Sequence, residues 1–410
     1  MKNQLTSKEF FEGLFEQLDI TPSQFEAAKQ HYEAIAAHLS EDSLCDDVYV
    51  QGSFALGTVI RPFRKGKDAD YDLDVVCQSS KVSKGTIKPK DLKDTVRDSI
   101  LRSPPHARLL DSEEGRRCWT LNYAARNDVG FHMDILPCVV ESRDTVQKIK
   151  VAGLAPVYSD TAIAITDRDK LTGSYEWFSS NPRGLASWFR DINAPYLSTY
   201  ETKQREDFQQ RYSHLYASVE DVPNALLKSP LQRVVQLLKR QRDCDFDGKE
   251  NEKYKPISVI ITVLVSQIAK NKAAHYASTA ELYELIVNEL KRYVGLLGND
   301  YAHLSPRLQE SYIFRGREGW RILNPVDPFE NFAERWHEDD HARARAFFDW
   351  VASLDARFNL DGLDTSTSFE TLQKRFGRNI VTEVYQQKDF NPRRQEVVYL
   401  SSAHPRPYHY

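Results

Sequence analysis

Gln51-Gly52-Ser53-Phe54-Ala55-Leu56-Gly57-Thr58, continued by Tyr71-Asp72-Leu73-Asp74-Val75-Val76-Cys77, is the stretch from which the fold is read. Val48-Tyr49-Val50 ahead of it is apolar enough for a strand, and Phe54 to Thr58 reads as a short turn. A polar, basic connection carrying Arg61, Arg64, Lys65 and Lys67 leads to a second strand at 71–77. Side chains alternate faces along a strand, so Asp72 and Asp74 point one way while Leu73 and Val75 enter a core. Carboxylates two residues apart on one strand face lie about 7 Å apart. Such a pair is costly unless a cation neutralises it, and oxygen ligands suit Mg²⁺ or Mn²⁺. Further on, in Gly130-Phe131-His132-Met133-Asp134-Ile135-Leu136-Pro137, the apolar Phe131, Met133 and Ile135 share a face and Asp134 projects from the other. His132 lies on the same face as Asp134.

Composition bounds the reading. A chain of 410 residues suggests two or three domains, or one large bilobal unit. Hydrophobic content of 41% with 28% charged residues is that of a soluble globular protein. The formal net charge of −4 gives no overall pull towards DNA, RNA or an acidic membrane, so strong nucleic-acid binding is not expected. No apolar run has the length of a transmembrane helix, and Met1-Lys2-Asn3-Gln4-Leu5 does not begin a signal peptide. The five cysteines, at 45, 77, 118, 138 and 244, are scattered and form no Cys-x-x-Cys pair. They read as small buried hydrophobes in a reducing, cytoplasmic setting, without a structural zinc site.

In chain order, an amphipathic segment runs from Lys8 to Leu18. Thr21-Pro22-Ser23-Gln24 then opens a long helix through a capping box, with Phe25, Ala28, Tyr32, Ile35, Ala36 and Leu39 on one stripe. A helix is expected at 91–102 and strands at 118–123 and 130–137. Residues 141–183 read as loops with one strand at 162–166, followed by a helix at 185–192. Residues 195–225 form a polar connector with a helix in it, and from Pro230 helices dominate: 231–242, 257–268, 279–297 and 340–354. The fold class is therefore α+β: a mixed sheet braced by the long N-terminal helix at 1–225, a helical C-terminal lobe at 226–390, and a cleft between. The tail at 391–410 reads as extended or disordered.

In the second lobe the basic residues of 231–242 fall largely off the apolar stripe, and Arg240 and Arg242 read as a solvated helix face. Lys239 is read differently, because Lys255-Pro256-Ile257-Ser258 opens the next helix. A helix N-terminus offers free N–H groups and a positive dipole to an anion, so Lys239 and Ser258 are candidates to grip a triphosphate.

A Gly-Ser turn, an Asp-x-Asp strand and a lone Asp on a later strand resemble the polymerase-β-like nucleotidyltransferases. The phrase 231–242 followed by 255–258 is similar to the bacterial CD-NTases, cyclic oligonucleotide synthases related to cyclic GMP–AMP synthase. Asn324-Pro325-Val326-Asp327-Pro328-Phe329-Glu330-Asn331-Phe332-Ala333 resembles that family's late Asp-Pro…Asn segment, which ties the C-terminal lobe to the cleft.

The resemblance implies that Asp72, Asp74 and Asp134 hold two Mg²⁺ or Mn²⁺ ions. It implies that Gln51, Gly52 and Ser53 sit at the nucleotide phosphates, and that Lys239 and Ser258 hold the triphosphate. The implied activity makes a cyclic di- or trinucleotide from ATP and/or GTP, releasing pyrophosphate, in antiphage signalling through a downstream effector. Other acceptors would use the same aspartates: a linear 2′-5′ oligoadenylate, or a protein, RNA or small molecule; a non-catalytic nucleotide- or RNA-binding module is the alternative of another class. The dispersed cysteines lack the zinc insertion with which the animal relative grips DNA. Conjugation through the C-terminal Tyr410 by a ubiquitin-activating-like enzyme is a further implied partnership.

Overall fold

The chain is described from a computed structural model over residues 7–41, 44–126, 129–275, 277–298, 312–316, 319–355 and 366–387. The expected tail at 391–410, with Tyr410, lies outside the described residues. Helices α1 (Ser7–Leu18) and α2 (Pro22–Glu41) come first. The capping box at α2 forms as read: Thr21 N–H donates to Gln24 Oε1 at 2.8 Å, and Gln24 N–H to Thr21 Oγ1 at 3.2 Å.

Strand β1 (Asp47–Gln51) runs into a helical turn, α3 (Gly52–Ala55), where a plain turn was expected. A small hairpin, Phe63–Arg64 with Lys67–Asp68, separates it from β2 (Tyr71–Ser79). After α4 (Pro89–Arg102) come β3 (Trp119–Arg126), β4 (Val129–Val140), helix α5 (Arg143–Val151), β5 (Ile163–Arg168) and β6 (Tyr175–Ser180). These six strands form one sheet in the order β1-β2-β4-β5-β6. β3 shares the free edge of β4 with β5: β3 pairs with its first half and β5 with its last residues. Helix α5 and strand β6 were missed within 141–183, where charged and polar residues interrupt the apolar periods. α5 is started by Ser142, whose Oγ accepts from Thr145 N–H.

The helical part comprises α6 (Pro182–Ser198), α7 (Glu201–Arg211), α8 (Pro230–Phe246), α9 (Ser258–Lys272), α10 (Thr279–Lys291), α11 (Glu338–Ser353), α12 (Ser366–Phe376) and α13 (Arg378–Gln387). One core joins α8–α13 with Phe10, Leu14 and Leu18 of α1 and with Trp188, Phe189 and Tyr196 of α6. A second core lies between the sheet and helices α2 and α4: Leu73, Val75, Met133 and Ile135 meet Ile35, Leu39, Val96 and Ile100. The opposite sheet face, which carries the aspartates, therefore turns towards the helical part.

Two expectations are corrected. Cys45 and Cys77 are joined in a disulfide, Cα–Cα 5.9 Å. Antiparallel pairing sets Val48 opposite Cys77 and brings the chain entering β1 alongside, a proximity that a separation of 32 residues conceals. Cys118, Cys138 and Cys244 are free, so cysteine usage no longer argues for a reducing compartment. Among the described residues no helix is long and apolar enough to cross a membrane.

Arg240 and Arg242 do not form a solvated face. Both are buried, because α8 is enclosed on every side by the sheet turn, α9, α10 and α12. Arg240 donates to the carbonyls of Phe376 (2.8 Å) and Arg61 (3.0 Å), pairs with Asp68 at 3.0 Å, and stacks on Phe63. Truncating one partner of a buried pair leaves the other charge uncompensated. Arg240→Ala is expected to lower stability by about 3 kcal/mol, read as a drop in the urea midpoint at unchanged slope.

Candidate active site

The cleft is assembled by strand register. β2 and β4 run parallel with Asp74 opposite Asp134 and Asp72 opposite His132. On the other side β1 is antiparallel to β2, so its last residue, Gln51, lies opposite Asp74. The chain leaving β1 must turn directly over that carboxylate, and Gly52 does so at φ +64°. A Cβ there would come within 2.0 Å of Asp74 Oδ2. Glycine is the residue that combines positive φ with so close an approach.

The resulting cavity, about 610 Å³, is lined by Gln51, Gly52, Ser53, Asp72, Asp74 and Asp134 on the sheet side, and by Lys239 and Ser258 on the helical side. All eight residues read from the sequence thus come together. Burial, then Asp134 and Asp72, push Asp74 up to about 7, with Lys239 opposing. Asp134 is also raised, chiefly by burial, although Thr120 donates a hydrogen bond to it. Asp72 is mostly exposed, and its carboxylate sits 3.6 Å from His132 Nδ1; the same ring lies 3.6 Å from Asp70. Asp72 is the main influence raising His132.

The donor set fits a hard divalent cation: three carboxylates, one of them buried against the other two with no cation among the side chains beside it except Lys239. Their side chains are not gathered for it: among the described residues no three His, Cys, Asp or Glu groups converge as an ion's ligands. Asp72 is engaged by His132 instead.

Across the cleft, Lys239 Nζ donates to the Thr58 carbonyl at 2.9 Å. Burial, then Arg242, lower it to about 8. It belongs to a row on α8: Gln232 Nε2 donates to the Leu56 carbonyl and Gln236 Nε2 to that of Val59, each at 2.9 Å. Ser258 begins α9, where its Oγ accepts from Arg242 at 3.0 Å. Arg242 is held by the buried Asp243 at 2.7 Å, and Lys255 reaches the same carboxylate at 3.3 Å. This network escaped sequence reading, since Arg242 was read as part of a solvated helix face and Asp243 was not singled out.

Also missed was Arg117, which lines the cleft, stacks 4.3 Å over Phe178 and pairs with Asp167 and Glu334. The Asn324–Ala333 segment forms a two-stranded hairpin, Leu323–Asn324 with Asp327–Asn331, that docks on β6. Ser179 donates to Asp327 at 2.6 Å and Ser180 to Glu330 at 3.0 Å. Asn324, Glu330 and Phe332 close one wall, so the late segment does tie the helical part back to the sheet.

Comparison with known proteins agrees with this geometry. Residues 47–137, which carry β1, the Gly-Ser turn and all three aspartates, match the nucleotidyltransferase domain described as cyclic GMP-AMP synthase DncV-like. A c-di-GMP synthase of Roseivirga ehrenbergii is 28% identical over 312 residues, 74% of this chain; the chain spans 66% of that relative's length. The Bradyrhizobium diazoefficiens CD-NTase CdnG, solved with GTP, shares the fold at TM-score 0.63 and 20% identity, covering 93% of this chain and 99% of its own. Vibrio cholerae DncV, solved with the linear intermediate pppA(3′,5′)pG, follows at TM-score 0.53 and 14% identity, covering 92% and 96%. With its Gly-Ser turn folded over an Asp-x-Asp strand and the helical part closing the cleft, the chain carries a DncV-like nucleotidyltransferase domain over residues 47–137 and shares the fold of a CD-NTase along most of its length.

Proposed function

We propose that this protein makes a cyclic di- or trinucleotide signal from ATP and/or GTP, releasing pyrophosphate, and that the signal acts through a downstream effector in antiphage defence. The observation that carries the reading is the register that sets Asp72, Asp74 and Asp134 on one sheet face beneath Gly52, opposite a buried lysine. The relative named c-di-GMP synthase and the GTP held by CdnG support guanine nucleotides among the substrates.

Asp72, Asp74 and Asp134 would hold Mg²⁺ or Mn²⁺. When bound, the ions supply Lewis-acid activation of the attacking hydroxyl and neutralise charge on the phosphates. The chain's own residues do the positioning. Gly52 and Ser53 let the backbone approach the phosphates, and Lys239 with Ser258 meets the triphosphate from the opposite wall. A lysine that burial has driven to about 8 regains its full charge beside an anion. Attack of one nucleotide's ribose hydroxyl on the α-phosphate of another displaces pyrophosphate, and a second displacement on the linear product closes the ring.

The test is a product assay with all four ribonucleoside triphosphates and Mg²⁺ or Mn²⁺, followed by phosphatase and mass spectrometry. A phosphatase-resistant di- or trinucleotide is expected; a linear oligonucleotide would replace the cyclase reading with an oligoadenylate-type one. In the same assay Lys239→Met is expected to raise KM for the nucleotide about tenfold or more with a smaller change in kcat, because a triphosphate contact is made before and during the reaction alike.

A further inference from the structure

Asp134 is gripped from β3, a strand that carries none of the three aspartates. Thr120 Oγ1 donates to Asp134 Oδ1 at 2.5 Å. The contact follows from register: β3 is antiparallel to β4 with Thr120 directly opposite Asp134, which brings their Cβ atoms to about 5 Å. Alternation does the rest. Trp119, Leu121 and Tyr123 enter the core with Met133 and Ile135, so Thr120 shares the cleft face with Asp134.

Thr120 is itself held in place. Its carbonyl accepts from Asp111 N–H, and Asn122 N–H donates to the Leu109 carbonyl, each at 2.8 Å. The strand is thus pinned along both edges around this residue. A threonine hydroxyl has one proton to give, and an ionised carboxylate can only accept, so the bond has one direction. A carboxylate caught at one oxygen no longer turns freely about its Cβ–Cγ bond. The Cys118 thiol, on the cleft wall, also bonds to this carboxylate, but a thiol is a weak donor. Partners of this kind orient the groups that bind a metal, and losing one costs about 10–100-fold in metal affinity or activity.

We infer that Thr120 is a positioning residue, whose hydroxyl fixes the Asp134 carboxylate in the orientation in which it receives a divalent cation. Without the hydroxyl, Asp134 keeps its place on the strand but its carboxylate turns. Valine has the shape and strand preference of threonine, so Thr120→Val removes the hydroxyl and little else, and Thr120→Ser retains it. The inference rests on the metal-dependent reading proposed above.

The experiment titrates Mn²⁺ alone into the full chain and reads the free ion by electron paramagnetic resonance. The native chain is expected to bind Mn²⁺, and the Asp72→Asn/Asp74→Asn variant to lose that binding. Thr120→Val is expected to weaken it about tenfold or more, while Thr120→Ser stays close to native. Added to Asp134→Asn, the valine should cost nothing further, because the hydroxyl acts only through that carboxylate. In the product assay the Mn²⁺ concentration giving half the maximal rate should rise, with KM for the nucleotide unchanged once Mn²⁺ saturates. Native affinity in Thr120→Val, or the same loss repeated on top of Asp134→Asn, would overturn the inference and leave the metal site standing. Absence of any Mn²⁺ binding that depends on the aspartates would instead end the metal-dependent reading, and the inference with it. Should Thr120→Val fail to fold, Thr120→Ala and Thr120→Ser carry the same comparison, and equal affinities in those two would refute the role.

Discussion

The Asp72→Asn/Asp74→Asn variant is expected to lose product formation by at least about a thousandfold, since several kcal/mol of transition-state stabilisation reach the substrate through these carboxylates. Its metal-free form is also expected to melt higher than the native chain. Asp74 stands at about 7 against an ordinary 3.8 because burial and two neighbouring carboxylates oppose its charge. The folded chain therefore keeps a proton that the unfolded chain has released between these values. Stability from this group is fully present below pH about 4, declines as pH rises through about 7, and is absent above it. At 1.36 kcal/mol per pKa unit the cost above pH 7 is roughly 4 kcal/mol at most. The gain from asparagine should accordingly be largest at pH 8 and vanish near pH 4 in thermal scans. Mg²⁺ or Mn²⁺ should raise the melting temperature of the native chain and leave the variant unmoved. A double variant that turns over at the native rate would end the nucleotidyltransferase reading.

The second large effect concerns Gly52→Ala. Its φ of +64° costs a non-glycine residue about 1–2 kcal/mol, and the added methyl would collide with Asp74 Oδ2 at 2.0 Å. Strand pairing holds both the backbone and Asp74, so the carboxylate has to leave its place beside Asp134. We expect about 2 kcal/mol of destabilisation and at least about a hundredfold loss of product. Gly66→Ala separates the two causes. Gly66 has φ +76° but nothing within 4 Å of where a Cβ would stand, so its variant should show the backbone cost and keep its activity. Equal activity losses in the two variants would mean that strain, not the clash with Asp74, governs the site.

The three aspartates were legible because a strand's period of two is a local property: Leu73, Val75, Met133 and Ile135 name the buried face, and the carboxylates must then take the other. Parallel pairing of β2 with β4 is not local, and the sequence alone does not show that Asp74 lands opposite Asp134. Lys239 and Ser258 were found through the family resemblance and the helix opening read at Lys255-Pro256-Ile257-Ser258. Arg240 and Arg242 were misread because an amphipathic pattern assumes that one helix face meets water, whereas α8 is surrounded. The Cys45–Cys77 link and the hairpin at 323–331 depend on partners 32 residues away and on β6, which the polar run at 141–183 had concealed. Pairing across such separations leaves no periodic trace.

The row of Gln232, Gln236 and Lys239 has a consequence for how much of the chain is needed. The carbonyls of Leu56, Val59 and Thr58 are satisfied by side chains 176, 177 and 181 residues further along. The segment 47–137 contains the three aspartates Asp72, Asp74 and Asp134, but cut away from α8 it would expose three carbonyls with no partner of their own and lose the shape of its nucleotide-binding turn. Contacts of such separation form late in folding. During synthesis the sheet can therefore form well before the protein is able to handle a triphosphate, and competence arrives only once the helix from 230 to 246 has docked.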